Sequence, residues 1–123
     1  SGHPTGSTHH SWYFLPQTEL YYNVFRGARQ LFYTEMGYAS QEGVEPFPGN
    51  FSWACSNDNS EQAAWLAEAA QISANTGMVR CIIVWNVDYL QAIPNYPQNG
   101  YAIIRPGGGC PACDALHAVL GTR

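Results

Sequence analysis

Apolar and polar positions alternate along this chain at spacings that switch between helix and strand periods. Residues 1–15, rich in Gly, Pro, Ser, Thr and His, carry no period and read as a loop. From Pro16 onward Leu20, Tyr21, Val24 and Phe25 recur on one helical face, and Gly27 supplies a stop. Residues 30–36 hold Leu31, Phe32 and Tyr33 in succession without alternation, which predicts a strand covered on both faces. The connection over 37–59 contains Pro46, Pro48 and three glycines, and it far exceeds the roughly two to six residues usual between strand and helix. Loops of that length are commonly functional or disordered. A helix follows over about 60–75, with Asn59 and Gln62 spaced as a capping box, Trp65, Leu66, Ala69, Ala70 and Ser73 as its core-facing stripe, and Gly77 beyond its end.

Val79 to Val87 predicts a second buried strand that ends in polar Asn86 and Asp88. A loop over 89–101 carries Tyr89, Tyr96 and Tyr101 with Pro94 and Pro97, and a short extended piece over 101–104 leads to a helix from Pro111 to Leu120. Alternation of helices with continuous apolar strands predicts an α/β fold with a parallel sheet covered by helices, organised as a single segment over 1–123. Ligands of such sheets sit outside the carboxyl ends of the strands. Glu35, immediately before Met36 and Gly37, and Trp85 fall at that end, one on each strand. Adjacent parallel strands bring them to one mouth.

Composition narrows the function classes. The net charge is −4, charged residues are 11% of the chain and every positive one is arginine, so there is no electrostatic footprint for nucleic acid or an anionic membrane. Four Trp, eight Tyr and five Phe suit a packed core or a surface that stacks on sugar rings. No run reaches the roughly 20 apolar residues of a membrane helix. The first residues do not resemble a signal peptide, and the expectation is a secreted, extracellular or periplasmic protein whose export signal has been removed.

The four cysteines, Cys55, Cys81, Cys110 and Cys113, allow three pairings. The close pair Cys110 and Cys113 reads as a short disulfide or two free thiols where Gly107 to Gly109 turn into the last helix. It is half of a tetrahedral zinc site with no second half in the sequence, so neither a metal nor a cofactor is expected.

Thr34-Glu35-Met36-Gly37-Tyr38-Ala39-Ser40, the helix with Trp65-Leu66, Ile82-Ile83-Val84-Trp85-Asn86-Val87-Asp88, Tyr101-Ala102-Ile103-Ile104 and Pro111-Ala112 form an ordered set. Together they resemble the end of a clan A glycoside hydrolase of the family 39 and family 5 type, a (β/α)₈ TIM barrel. His9-His10-Ser11-Trp12-Tyr13-Phe14 is similar to the loop after the sixth strand of those enzymes. The resemblance implies that the chain is the C-terminal part of such a barrel, about strands seven and eight with flanking helices, and incomplete on its own.

It further implies that Glu35 is the nucleophile of a retaining glycosidase and that Trp85 floors the sugar site. His9, His10, Tyr38, Asn86 and Asp88 become candidates for contacts to the substrate or the nucleophile. Retaining chemistry needs a second carboxyl group roughly 5 to 5.5 Å away. The Asn-Glu pair that supplies it in those families is missing here. Asp88, Glu42 and Glu45 are the candidates within the chain, and the implied partner is an N-terminal barrel portion or a second copy of the chain.

Each assignment has a plainer counterpart. An acid before a glycine at a strand end is often only a loop hydrogen-bond acceptor, and Trp85 and Trp65 also fit a core. Trp12 and Trp53 fall in loops, placed to line a cleft, while His117 reads as surface or core. The alternative function is a non-catalytic carbohydrate-binding or assembly module. A redox or metal protein centred on Cys110 and Cys113 comes third.

Overall fold

The structure is a computed structural model that describes residues 2–10 and 12–121; Ser11, part of the loop resemblance above, lies outside them. In chain order the elements are helix α1 (Phe14–Val24), strand β1 (Leu31–Met36), a 3₁₀ segment (Gly49–Ala54), helix α2 (Asn59–Thr76), strand β2 (Val79–Val84), a second 3₁₀ segment (Pro97–Tyr101) and helix α3 (Pro111–Leu120). β1 and β2 pair in parallel, joined through α2 as a parallel connection requires. The expected extended piece at 101–104 is not a strand, and β2 ends at Val84 rather than Val87.

The ladder is irregular. Leu31 pairs with Val79, Phe32 with Cys81, Tyr33 with Ile82 and Met36 with Val84, so β2 holds an extra residue early and β1 an extra residue late. Side chains follow these slips. Leu31 and Tyr33 pack inward, Thr34 and Glu35 are both exposed, and Met36 packs inward again. The two strands were expected to be covered on both faces; instead α1 and α2 cover one, and Phe32 (66% exposed) and Ile83 (55%) stand on the other.

Three apolar clusters hold the molecule together. Tyr38, Ala63, Leu66, Ile103 and Ala112 join α2 to α3, Phe14, Ala69 and Val79 join α1 and α2 to the sheet, and Ala39, Phe47 and Ala54 pin the long loop. α2 begins at an Asp58 cap whose carboxylate accepts from the Glu61 N–H at 2.8 Å, while the Glu61 carboxylate accepts from the Asp58 N–H at 3.1 Å. It ends at Gly77, whose φ of 67° favours glycine. The box expected from Asn59 and Gln62 is thus displaced by one residue. Gln62 is buried, its amide donating to the carbonyls of Tyr38 (2.8 Å) and Gly100 (3.0 Å).

α1 departs most from expectation. Leu20, Tyr21, Val24 and Phe25, read as its core face, are exposed, and the helix docks through Phe14 and Thr18 near its start. Thr18 Oγ1 lies 2.6 Å from the Phe14 carbonyl and 2.7 Å from the Tyr33 hydroxyl, so a polar residue takes the contact position.

The expectation of an incomplete TIM-barrel fragment is overturned. These residues form a small α/β domain around one two-stranded parallel sheet, compact on its own clusters. The long connections at 37–58 and 85–110 fold back and are tied to each other, so burial is satisfied locally. Arg105, 4% exposed, donates to the carbonyls of Ala102 (2.7 Å), Gly100 (3.1 Å), Ser40 (3.3 Å) and Glu42 (2.7 Å) and is the main tie.

Candidate functional site

β1 and β2 end side by side, the Trp85 N–H donating to the Met36 carbonyl at 2.9 Å. Gly37 follows at once. A Cβ there would run into the Trp85 carbonyl, so the close approach of the two strand ends requires glycine. The Thr-Glu-Met-Gly spacing is therefore a packing requirement as well as a chemical signal. The Trp85–Asn86 peptide is cis.

Two hollows meet at this point. The larger, about 650 Å³, is lined by Trp12, Phe14, Gln17, Tyr33, Tyr38 and Trp53, the smaller, about 280 Å³, by Phe51, Trp85, Gln98 and Tyr101, and Glu35, Met36 and Gly37 line both. Glu35 stands at the junction, exposed, with no hydrogen-bond or ion-pair partner among the described residues. The Trp85 indole Nε1–H donates to Gln98 Oε1 at 2.9 Å, which fixes the ring's tilt and leaves the Gln98 amide N–H groups without a partner among the described residues.

The other expected site residues distribute differently. Tyr38 is buried, lines the larger hollow and packs edge-on against Trp65 at 5.6 Å; burial first, then the charge of Glu68, raise its pKa, so it is a neutral hydroxyl. His9 and His10 are exposed and do not line either hollow. They stack in series behind Trp12, with ring centroids 5.2 Å apart between the histidines and 4.7 Å between His9 and Trp12.

Asn86 is buried, its amide donating to the Gln98 carbonyl at 3.2 Å and its Oδ1 accepting from the Tyr89 N–H at 2.9 Å. It holds the loop that carries Gln98. Asp88 is exposed on the following turn, outside the lining of both hollows, as are Glu42 and Glu45. The Glu42 carboxylate accepts from the Asn59 N–H at 2.8 Å.

Glu35 is thus the one acid among the described residues that line the hollows, and no lysine, arginine or histidine joins it there. Tyr33 and Tyr101 are likewise held neutral, their pKa values raised by burial, with the Thr18 hydrogen bond opposing the shift at Tyr33. Sequence reasoning passed over Gln17, Tyr33, Phe51 and Gln98. Only Phe51 carried a signal, its place beside Trp53 in the overlong loop.

Cys110 and Cys113 form a disulfide at the start of α3, and Cys55 and Cys81 are free. Among the described residues no group of three or more His, Cys, Asp or Glu side chains is arranged to hold a metal. No helix among them is long and apolar enough to cross a membrane. The chain matches no protein-family model, no curated protein and no solved structure.

Proposed function

We propose that this chain carries the nucleophile side of a retaining glycoside hydrolase site, with Glu35 attacking the anomeric carbon of a sugar whose ring lies on Trp85. The observation that supports it is the junction itself: one carboxylate, without a partner among the described residues, at the carboxyl end of a parallel strand pair and walled by aromatic rings and amides. Aromatic faces take the C–H face of a sugar and amides its hydroxyls, while the carboxylate is the one group there able to form a glycosyl ester. The leaving oxygen is protonated by an acid outside the described lining, on another polypeptide surface or a second copy. The disulfide suits an oxidising compartment, and we place the protein outside the cytosol on that ground.

Aryl glycosides whose leaving group needs no protonation test Glu35 without the second acid. The wild type should gain one glycosyl mass on Glu35 and release the phenol; Glu35→Gln, equally folded, should lose both by at least 1,000-fold, because an amide cannot act as the nucleophile. Equal release by the variant sinks the assignment. The second reading, a carbohydrate-binding module, draws on Glu35 being alone among the lining acids. It predicts sugar binding with no adduct in either protein.

A further inference from the structure

The reading of this site as a carbohydrate site leaves the larger hollow without a role, since a single ring on Trp85 occupies only the smaller one. At about 280 Å³ the Trp85 hollow falls just below the roughly 300–1,000 Å³ usual for a complete small-molecule site, whereas the Trp12 and Trp53 hollow, at about 650 Å³, falls inside it. They are not separate pockets. Both are open, and Glu35, Met36 and Gly37 form their common wall.

The larger hollow has two indoles at its rim, Trp12 at 67% and Trp53 at 44% exposure. Neither indole hangs free: Trp12 stacks on His9 at 4.7 Å, and Trp53 lies against Phe51 at 5.7 Å. Flat apolar surface held ready in water is suited to binding, because little freedom remains to be lost when a ligand arrives. Phe51 lines the smaller hollow while Trp53 lines the larger, so the 3₁₀ segment Gly49–Ala54 shapes both. The polar groups are amides, Gln17 on one side and Gln98 on the other, and the one charge is negative. An anionic ligand meets no cation there.

We infer that the Trp12 and Trp53 hollow is a second sugar subsite, and that the ligand is a neutral oligosaccharide laid across Glu35 with units in both hollows. Trp85 holds the unit on one side of the carboxylate, and the Trp12 and Trp53 pair holds the unit or units on the other.

Neutral β-linked gluco-, xylo- and manno-oligosaccharides of one to five units, titrated into Glu35→Gln and followed by calorimetry and tryptophan fluorescence, test this without any chemistry at the site. For at least one series, affinity should rise tenfold or more between one unit and three. Trp12→Ala and Trp53→Ala should each weaken the trimer by about tenfold and flatten the dependence on length; Phe32→Ser, on the open face of the sheet, should leave it unchanged. Affinity independent of length in every series overturns the second subsite, and so does a trimer that binds Trp12→Ala and Trp53→Ala as it binds the parent. The length series on the parent decides the matter even if a tryptophan variant fails to fold. Equally tight binding of a uronic-acid trimer and its neutral counterpart to the wild type, which keeps the Glu35 charge, overturns the neutral-ligand part. The glycosyl adduct on Glu35 is a separate readout, so a failed nucleophile assignment and a failed subsite are distinguishable.

Discussion

Arg105 is a buried cation held by carbonyl oxygens, with no carboxylate within ion-pair distance among the described residues. Burial pulls its pKa below the usual arginine value, and the Glu42 charge pulls the other way. Its Nε–H finds no partner among the described residues, so the cost of burial is only partly offset. Arg105→Met removes the donors while leaving the Ala102 and Glu42 carbonyls in place. Stability should fall by about 2 kcal/mol or more, given the roughly 1–3 kcal/mol of an unsatisfied buried polar group. Urea unfolding at unchanged slope checks it, and a midpoint equal to wild type contradicts the role. Nothing in the sequence marks Arg105 as buried. Glu35 was legible because a lone acid between an apolar run and a glycine is visible in the letters, whereas Gln17 and Gln98 acquire meaning only from the neighbours the fold supplies.

The parallel strand pair and the two long helices were legible from period and punctuation, and their errors have physical causes. α1 shows a regular apolar face, but the local pattern cannot say whether a partner covers it; Thr18, bonded to Tyr33, made the contact instead. The cap of α2 moved because Asn59 Oδ1 accepts from the Ser40 hydroxyl and Gln62 bridges two carbonyls, leaving Asp58 and Glu61 at the same spacing to cap. The Asp58 pKa is lowered, first by the Glu61 N–H and then by the Ser60 hydroxyl. Its stabilisation is therefore present above the unfolded carboxylate pKa and lost as pH falls through the lower folded value. Asp58→Ala should melt below wild type at neutral pH, with the gap closing in acid, and Asp58→Asn should keep the cap without that acid dependence. A gap that widens in acid would contradict this sign. Thermal melts over the acid range decide it.

At the scale of the molecule, the barrel expectation failed because two strands and their flanking helices carry the same local pattern in a barrel and in a smaller α/β domain. Closure depends on how the long connections fold, and here they fold onto each other through Arg105 and Gln62. The open sheet face gives a contrast in cost. Phe32→Thr and Ile83→Thr, already largely in water, should each change stability by no more than about 0.5 kcal/mol, while Leu66→Ala in the main cluster should cost about 2–5 kcal/mol. Comparable losses at all three positions, measured by denaturant unfolding, would mean that the open face is covered in solution.

The extra residue in β1 bears on how the domain tolerates change in length. In strict alternation Glu35 would share the inward face with Leu31 and Tyr33, and the slip between Tyr33 and Met36 is what turns it outward. Loss of Thr34 would straighten the ladder and leave the carboxylate on the outward face, directly after inward Tyr33 and before inward Met36. Residue 34 is therefore a place in β1 where a missing codon leaves every neighbouring side chain on its own face, whereas a deletion between Leu31 and Tyr33 would turn the residues before it over.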